Sequence, residues 1–334
     1  MHWIGQAIMN HPKITVLTDP MPWGRELLHE GLRRIARAIR DALRPNRSYF
    51  NHPKYRGHFA VTRSLIVGLE KIKADHNYNT SYPWQLAETV IVLAGVRTLR
   101  QAIRLKQKGL IKKLYAGPNI VSFSSDNNSI VGSPEIDCYV VNSDWTFDLY
   151  IADCPSLKDR CYIWPAGVDT NYWQPSQIDS REHILIFEKQ NKGPVGPVAP
   201  FADYLRGLGW PVRVIQYGTF NHDQYLELLQ HSYLMLGFVT DESQGIAWAE
   251  AWSVDVPTLI WKNTSNVFQG RRYTCSTAPY LCDENGLFFT DLEDFKTQFN
   301  FWLTHKEQFT PRDWILKNMT DEICASMLYK QVTE

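Results

Sequence analysis

Residues 238–257 read FVTDESQGIAWAEAWSVDVP. An apolar run ends near Val239, a polar turn carries Glu242 and Gly245, an apolar helical stretch carries Glu250, and Pro257 opens the next apolar run. This strand, turn, helix and strand succession is the signature of a parallel α/β unit. At such a helix start the amides of Gly245 and Ile246 lack intrahelical acceptors, so an anion or a polarised sugar hydroxyl is held favourably there. Glu242 and Glu250, two turns along the helix, can both face one cleft and accept hydrogen bonds from hydroxyls. Their spacing alone equally fits an acidic first turn that favours the helix dipole and a solvated helix glutamate.

The same alternation extends outward. Upstream, strands are expected over 13–18, 89–94, 111–116, 136–141 and 161–164, with helices over 58–75, 96–108 and 143–152. Residues 164–175 (WPAGVDTNYWQP) hold two prolines and a glycine without periodicity and read as a linker. Beyond it, strands over 183–187, 212–216, 233–239 and 257–261 alternate with helices near 201–207, 222–230 and 244–253, before a final helix over 311–330. Parallel strands need crossover connections, so the expectation is an N-terminal domain over 1–164, a linker over 165–180, a second domain over 181–310 and a C-terminal helix over 311–334. Ligands of open parallel sheets collect outside the carboxyl ends of the strands, which places the site in the cleft between domains.

Composition agrees with a soluble globular chain: 334 residues, 44% hydrophobic and 21% charged. Lys+Arg and Asp+Glu balance at 35 each, which gives no reason to expect nucleic acid. The balance hides an asymmetry. Residues 1–170 carry 22 basic and 15 acidic side chains, the remainder 13 and 20, so the two parts are +7 and −7. Within the basic part, over 25–44, Leu28, Leu32, Ile35, Ile39 and Leu43 form one helical stripe among Arg33, Arg34, Arg37, Arg40 and Arg44. Such a helix either docks on the domain by its leucine face or meets an anionic membrane surface or acceptor. The six cysteines form no C-x-x-C pair and have no histidine at ligand spacing, which argues against zinc and for reduced thiols in a cytosolic protein. The first residues lack the basic and apolar regions of a signal peptide, and no apolar run approaches the ~18 residues of a membrane span.

Taken together, these stretches resemble the retaining GT-B glycosyltransferases, the family-4 type in particular. Glu242 and Glu250 match the two glutamates of the E-x(7)-E segment, with Ser243, Gln244, Gly245 and Ile246 in its glycine-containing turn and 251–257 in the place of E-A-x-x-x-G-x-P. Residues 163–175 are similar to the interdomain segment I-P-N-G-V-D-x-x-x-F-x-P, 141–145 to a V-x-S-x-x strand-to-helix step, and 280–292 to a G-x-x-x-x-x-D-x turn. The likeness is clear over about 136–300 and thin before Thr89.

The resemblance implies two Rossmann-like domains across a cleft, with a C-terminal helix crossing back to the first. It implies that Glu242 contacts the donor sugar and Glu250 the nucleotide ribose. Lys189 and Lys192 take the place of the cationic pair that holds the diphosphate, and ammonium groups there stabilise a departing nucleoside diphosphate. Their spacing is shorter than usual, and two solvated lysines fit it as well. Tyr217, Gly218 and Phe220 stand where the family places the nucleotide base, although aromatic residues at strand ends also serve packing. Asn119 follows the strand that often ends in the family's histidine, and it either donates to a hydroxyl or is a turn residue. Gly57 and His58 are the only candidates for the glycine-rich loop of the first domain. One βα unit of the usual second domain is absent. The implied activity is metal-independent, retaining transfer from a nucleotide-sugar donor to a glycan or lipid-linked acceptor, with no cofactor and no nucleic acid. The implied location is cytoplasmic, peripheral on an anionic membrane. A GT-B sugar-nucleotide epimerase and a catalytically silent glycan- or membrane-binding protein remain alternatives.

Overall fold

A computed structural model describes residues 13–19, 57–80, 83–178, 181–189 and 198–334. Its first sheet contains β1 (Ile14–Thr18), β2 (His76–Tyr78), β3 (Thr89–Ala94), β4 (Lys113–Asn119), β5 (Cys138–Val141) and β6 (Cys161–Ile163). The order is β2-β1-β3-β4-β5-β6, and every pair is parallel. Helices α1 (Gly57–Lys71), α2 (Val96–Gln107) and α3 (Asp144–Asp153) lie between the strands in sequence. Sheets covered on both faces have near-continuous apolar strands. Along β3, Val90 and Val92 pack with Leu99 and Ala102 of α2, while Ile91 and Leu93 pack with Leu65 and Leu69 of α1.

The second sheet contains β7 (His183–Lys189), β8 (Val212–Gln216), β9 (Ser232–Val239) and β10 (Thr258–Trp261). After an antiparallel hairpin of β11 (Ser265–Phe268) and β12 (Arg271–Thr274) it adds β13 (Gly286–Phe289). The order is β13-β10-β9-β7-β8, again parallel throughout. Its helices are α4 (Ala199–Gly207), α5 (His222–Gln230), α6 (Ile246–Ser253) and α7 (Leu292–Thr304). Leu185 and Phe187 of β7 pack with residues of α5 and α6, and Ile184 and Ile186 with residues of α4 and α7. Two parallel-sheet Rossmann-like domains are therefore present, as the alternation predicts. In each sheet the strand order reverses beside the first strand, between β1 and β3 and between β7 and β9, which is the switch point where ligands bind.

The single helix expected over 311–330 is two, α8 (Pro311–Asn318) and α9 (Asp321–Thr333). The break has a physical cause, because the chain changes domains there. Ile315 and Met319 belong to the core of the second domain, whereas Ala325, Leu328 and Val332 belong to that of the first. Thr320 is extended and caps α9 by accepting from the Ile323 amide, and it forms a bridge with Val168 of the linker. The approach of α9 to α1 is close: a Cβ on Gly68 would stand 2.3 Å from the Asp321 carbonyl oxygen. The C-terminal helix thus crosses back to the first domain, as expected. β2, the β11–β12 hairpin, β13 and α7 have no counterpart in the sequence reading. The basic helix expected over 25–44 lies outside the described residues. Among the described residues no helix is long and apolar enough to cross a membrane.

Candidate active site

The carboxyl ends of the two sheets face each other across a cavity of about 910 Å³. β7 ends in Lys189 and its neighbour β9 runs into Asp241 and Glu242, so the switch point gathers one cation and two carboxylates. Lys189 Nζ donates to Glu242 Oε1 at 2.5 Å and lies 4.8 Å from the centre of the Tyr217 ring. Burial pulls the Lys189 pKa down, but the Glu242 charge and hydrogen bond, with Tyr217 and Asp241, more than offset it and hold the group above the ordinary lysine value. Lys189 is an ammonium at neutral pH.

Glu242 is fixed through its backbone by both domains. Its amide donates to the Ser276 carbonyl at 2.9 Å, and its carbonyl accepts from Trp145 Nε1 of α3 at 2.9 Å. Gly245 then opens α6 with φ +83°, a left-handed conformation, and a Cβ there would lie 2.3 Å from the Trp248 ring. Only glycine satisfies both conditions. Gly245, Ile246 and Ala247, at the first turn of α6 where amides lack intrahelical acceptors, line the cavity. Ser243 is exposed on the wall. Gln244 lines the cavity too, but its side chain ties the turn to the linker and the first domain. Oε1 accepts from the Ala166 amide at 2.9 Å and Asn142 Nδ2 at 3.3 Å, and Nε2 donates to the Ala166 carbonyl at 2.6 Å.

Glu250 projects from α6 into the same cavity and is buried. Burial pushes its carboxyl up to about 8, against the opposing pull of the Arg63 guanidinium. No hydrogen-bond donor meets it among the described residues. Asn119, at the end of β4, also faces the cavity, and its side-chain nitrogen is buried without an acceptor among the described residues. Tyr217 and Gly218 form the far wall with Phe220; Tyr217 remains partly exposed, whereas Phe220 packs on Phe187 and Tyr225. Gly57 begins α1, whose Ala60 and Val61 reach the cavity wall. The His58 side chain and Lys192 lie outside the described residues.

Two further residues beside the site carry no sequence motif, Asp241 and Arg63. Asp241 is buried and accepts from Tyr273 Oη at 2.6 Å and Asn266 Nδ2 at 2.8 Å. Arg63 of α1 pairs with Asp169 of the linker at 3.1 Å and with Asp321 of α9 at 2.6 Å. Asp321 is fully buried, and burial pushes its carboxyl up to about 6 against the pull of Arg63. The available signal for Arg63 was a charged residue in the middle of the helix of 57–71, between Val61 and Leu65 of its apolar stripe.

No protein-family model and no curated protein matches the sequence. Solved structures do match the fold. Anabaena HepE in complex with UDP superposes with a TM-score of 0.54 at 11% identity, over 96% of this chain and 99% of that one. The same protein with UDP and glucose gives 0.51 at 13% identity, over 97% and 100%. A glycosyltransferase from Rickettsia africae gives 0.55 at 8% identity, over 97% and 99%. At such identities the likeness is one of architecture, and two parallel sheets facing across a cleft, with a final helix returning to the first domain, give this chain the GT-B fold of glycosyltransferases.

Proposed function

We propose that this chain transfers a sugar from a nucleotide-sugar donor to an acceptor hydroxyl with retention of anomeric configuration. The observation that carries the proposal is the Lys189–Glu242 pair at the switch point, with the α6 amides and Glu250 on the same wall. The UDP held by HepE, a protein of the same fold, supports a nucleoside diphosphate as the leaving group. In this reading 181–310 takes the donor. Tyr217 and Gly218 flank the base, Glu250 meets the ribose, and Lys189, Lys192 and the amides of Gly245 and Ile246 hold the diphosphate, with Ser243 and Gln244 beside the sugar. As the bond from the anomeric carbon to the phosphate oxygen breaks, negative charge gathers on that oxygen, and Lys189 moves its hydrogen bond from Glu242 to it. Glu242, released, accepts from the sugar hydroxyls. The acceptor oxygen bonds to the anomeric carbon on the face the phosphate leaves, and its proton passes to the phosphate.

The first domain, 1–164, takes the acceptor, with Asn119 Nδ2 free to donate to a hydroxyl and the start of α1 at Gly57 and His58 beside it. The +7 charge of residues 1–170 suits a lipid-linked or other anionic acceptor at the cytoplasmic face of a membrane. Charge stabilisation by Lys189 and the helix start leaves no role for a metal, so transfer is expected to persist in EDTA. Purified protein, offered UDP, GDP and ADP sugars, should release nucleoside diphosphate from one of them. Glu242→Ala should lower that rate at least about a hundredfold with the fold intact by circular dichroism. Wild-type turnover by the variant would remove Glu242 from the site.

A further inference from the structure

The stretch 262–279, which follows β10, carries no motif, and the structure gives it two faces. One holds the turn after β9. Asn263 Nδ2 donates to the Thr240 carbonyl at 2.7 Å, Asn266 Nδ2 and Tyr273 Oη donate to Asp241 Oδ2 at 2.8 and 2.6 Å, and the Ser276 carbonyl accepts from the Glu242 amide at 2.9 Å. The other face reaches the first domain. Arg271 Nη1 donates to Ser125 Oγ at 2.7 Å, Nη2 donates to the Asp153 carboxylate of α3, and the guanidinium lies 4.3 Å from the centre of the Phe123 ring. Tyr273 joins the two faces. Its ring meets Phe123 edge-on at 5.6 Å and lies parallel to Trp145 at 6.1 Å, and Trp145 is the residue whose Nε1 holds the Glu242 carbonyl.

We infer that the β11–β12 hairpin is an interdomain clasp in which Arg271 and Tyr273 are positioning residues for Glu242. Opening the cleft would break the charge-assisted Arg271–Asp153 contact and withdraw Tyr273 from Trp145. The turn carrying Asp241 and Glu242 is bonded to the hairpin and to Trp145 at once, so it keeps its place only while both domains grip it. This ties assembly of the site to closure through a route separate from the linker and α9. The apolar faces of Phe123 and Phe268 seal the contact, in a cluster with Tyr273 and Cys275 that spans the two domains.

The rate part of this inference rests on the transfer proposed above; the closure part does not. Small-angle scattering of the ligand-free full chain tests closure. Arg271→Ala should raise the radius of gyration, and the charge-exchanged pair Arg271→Asp with Asp153→Arg should restore the wild-type value. Tyr273→Phe tests positioning, because it removes only the hydroxyl bonded to Asp241. It should leave the scattering unchanged and, at a temperature where the variant is fully folded, lower kcat about tenfold with donor KM within about twofold. Identical scattering of Arg271→Ala and wild type, or failure of the exchanged pair to recover, overturns the clasp. An unchanged kcat in Tyr273→Phe overturns the positioning role. A wild-type protein that turns over no nucleotide sugar refutes the transfer reading and with it the rate part, while scattering still decides the clasp.

Discussion

Glu250 shows how burial changes the titration of a glutamate that its spacing alone would leave solvated. Its folded pKa of about 8 exceeds the ordinary 4.5, so between those values the native state holds a proton that the unfolded chain has lost, and stability falls as pH rises through that window. Asp321, raised from 3.8 to about 6, acts in the same direction at lower pH. His183, lowered from 6.5 chiefly by burial, adds stability as pH rises toward 6.5. Above pH 7 only Glu250 of these three still titrates. The melting temperature of the ligand-free protein should therefore drop between pH 7 and 8, and Glu250→Gln, which keeps the shape of the neutral acid, should flatten the drop. An equal drop in the variant would mean that another group titrates. The two glutamates were legible because their spacing survives in one turn and one helix. Arg63 and Asp241 were not, since their partners are 106 and 32 residues away in sequence.

Among the elements, α6 brings Gly245, Ile246 and Glu250 to the cavity wall within eight residues of helix and its cap. Gly245→Ala demands a left-handed alanine and drives its methyl group into the Trp248 ring. A loss of about 1–3 kcal/mol in urea unfolding is expected, with weaker nucleotide binding; stability equal to wild type would show that the turn can rearrange. The core strands β1, β3, β7 and β9 were legible because their apolar runs are long and buried on both faces. The β11–β12 hairpin was not. Only one residue of its SNVF and RRYT strands is buried, and what defines them is contact with the turn after β9 and with the other domain. The split of the final helix was hidden for a similar reason, because each half obeys a different core.

In the whole molecule the two domains are joined by the linker, by α9 and by the contacts that Arg63 makes to both. Arg63→Ala leaves Asp321 buried and unpaired, and should cost about 3–5 kcal/mol in urea unfolding. Adding Asp321→Asn should recover part of that loss; no recovery would place the cost elsewhere. The +7 and −7 parts gave the two-domain division its first hint, and the alternation of strands and helices gave the architecture. Closure, by contrast, depends on side chains that meet only across the cleft. Isothermal titration of UDP, GDP and ADP into wild type and Lys189→Ala most directly tests whether the cleft holds a nucleoside diphosphate at the switch point. One of the three should bind one-to-one and weaken at least about tenfold in the variant; no binding of any, or equal affinity in the variant, would contradict it.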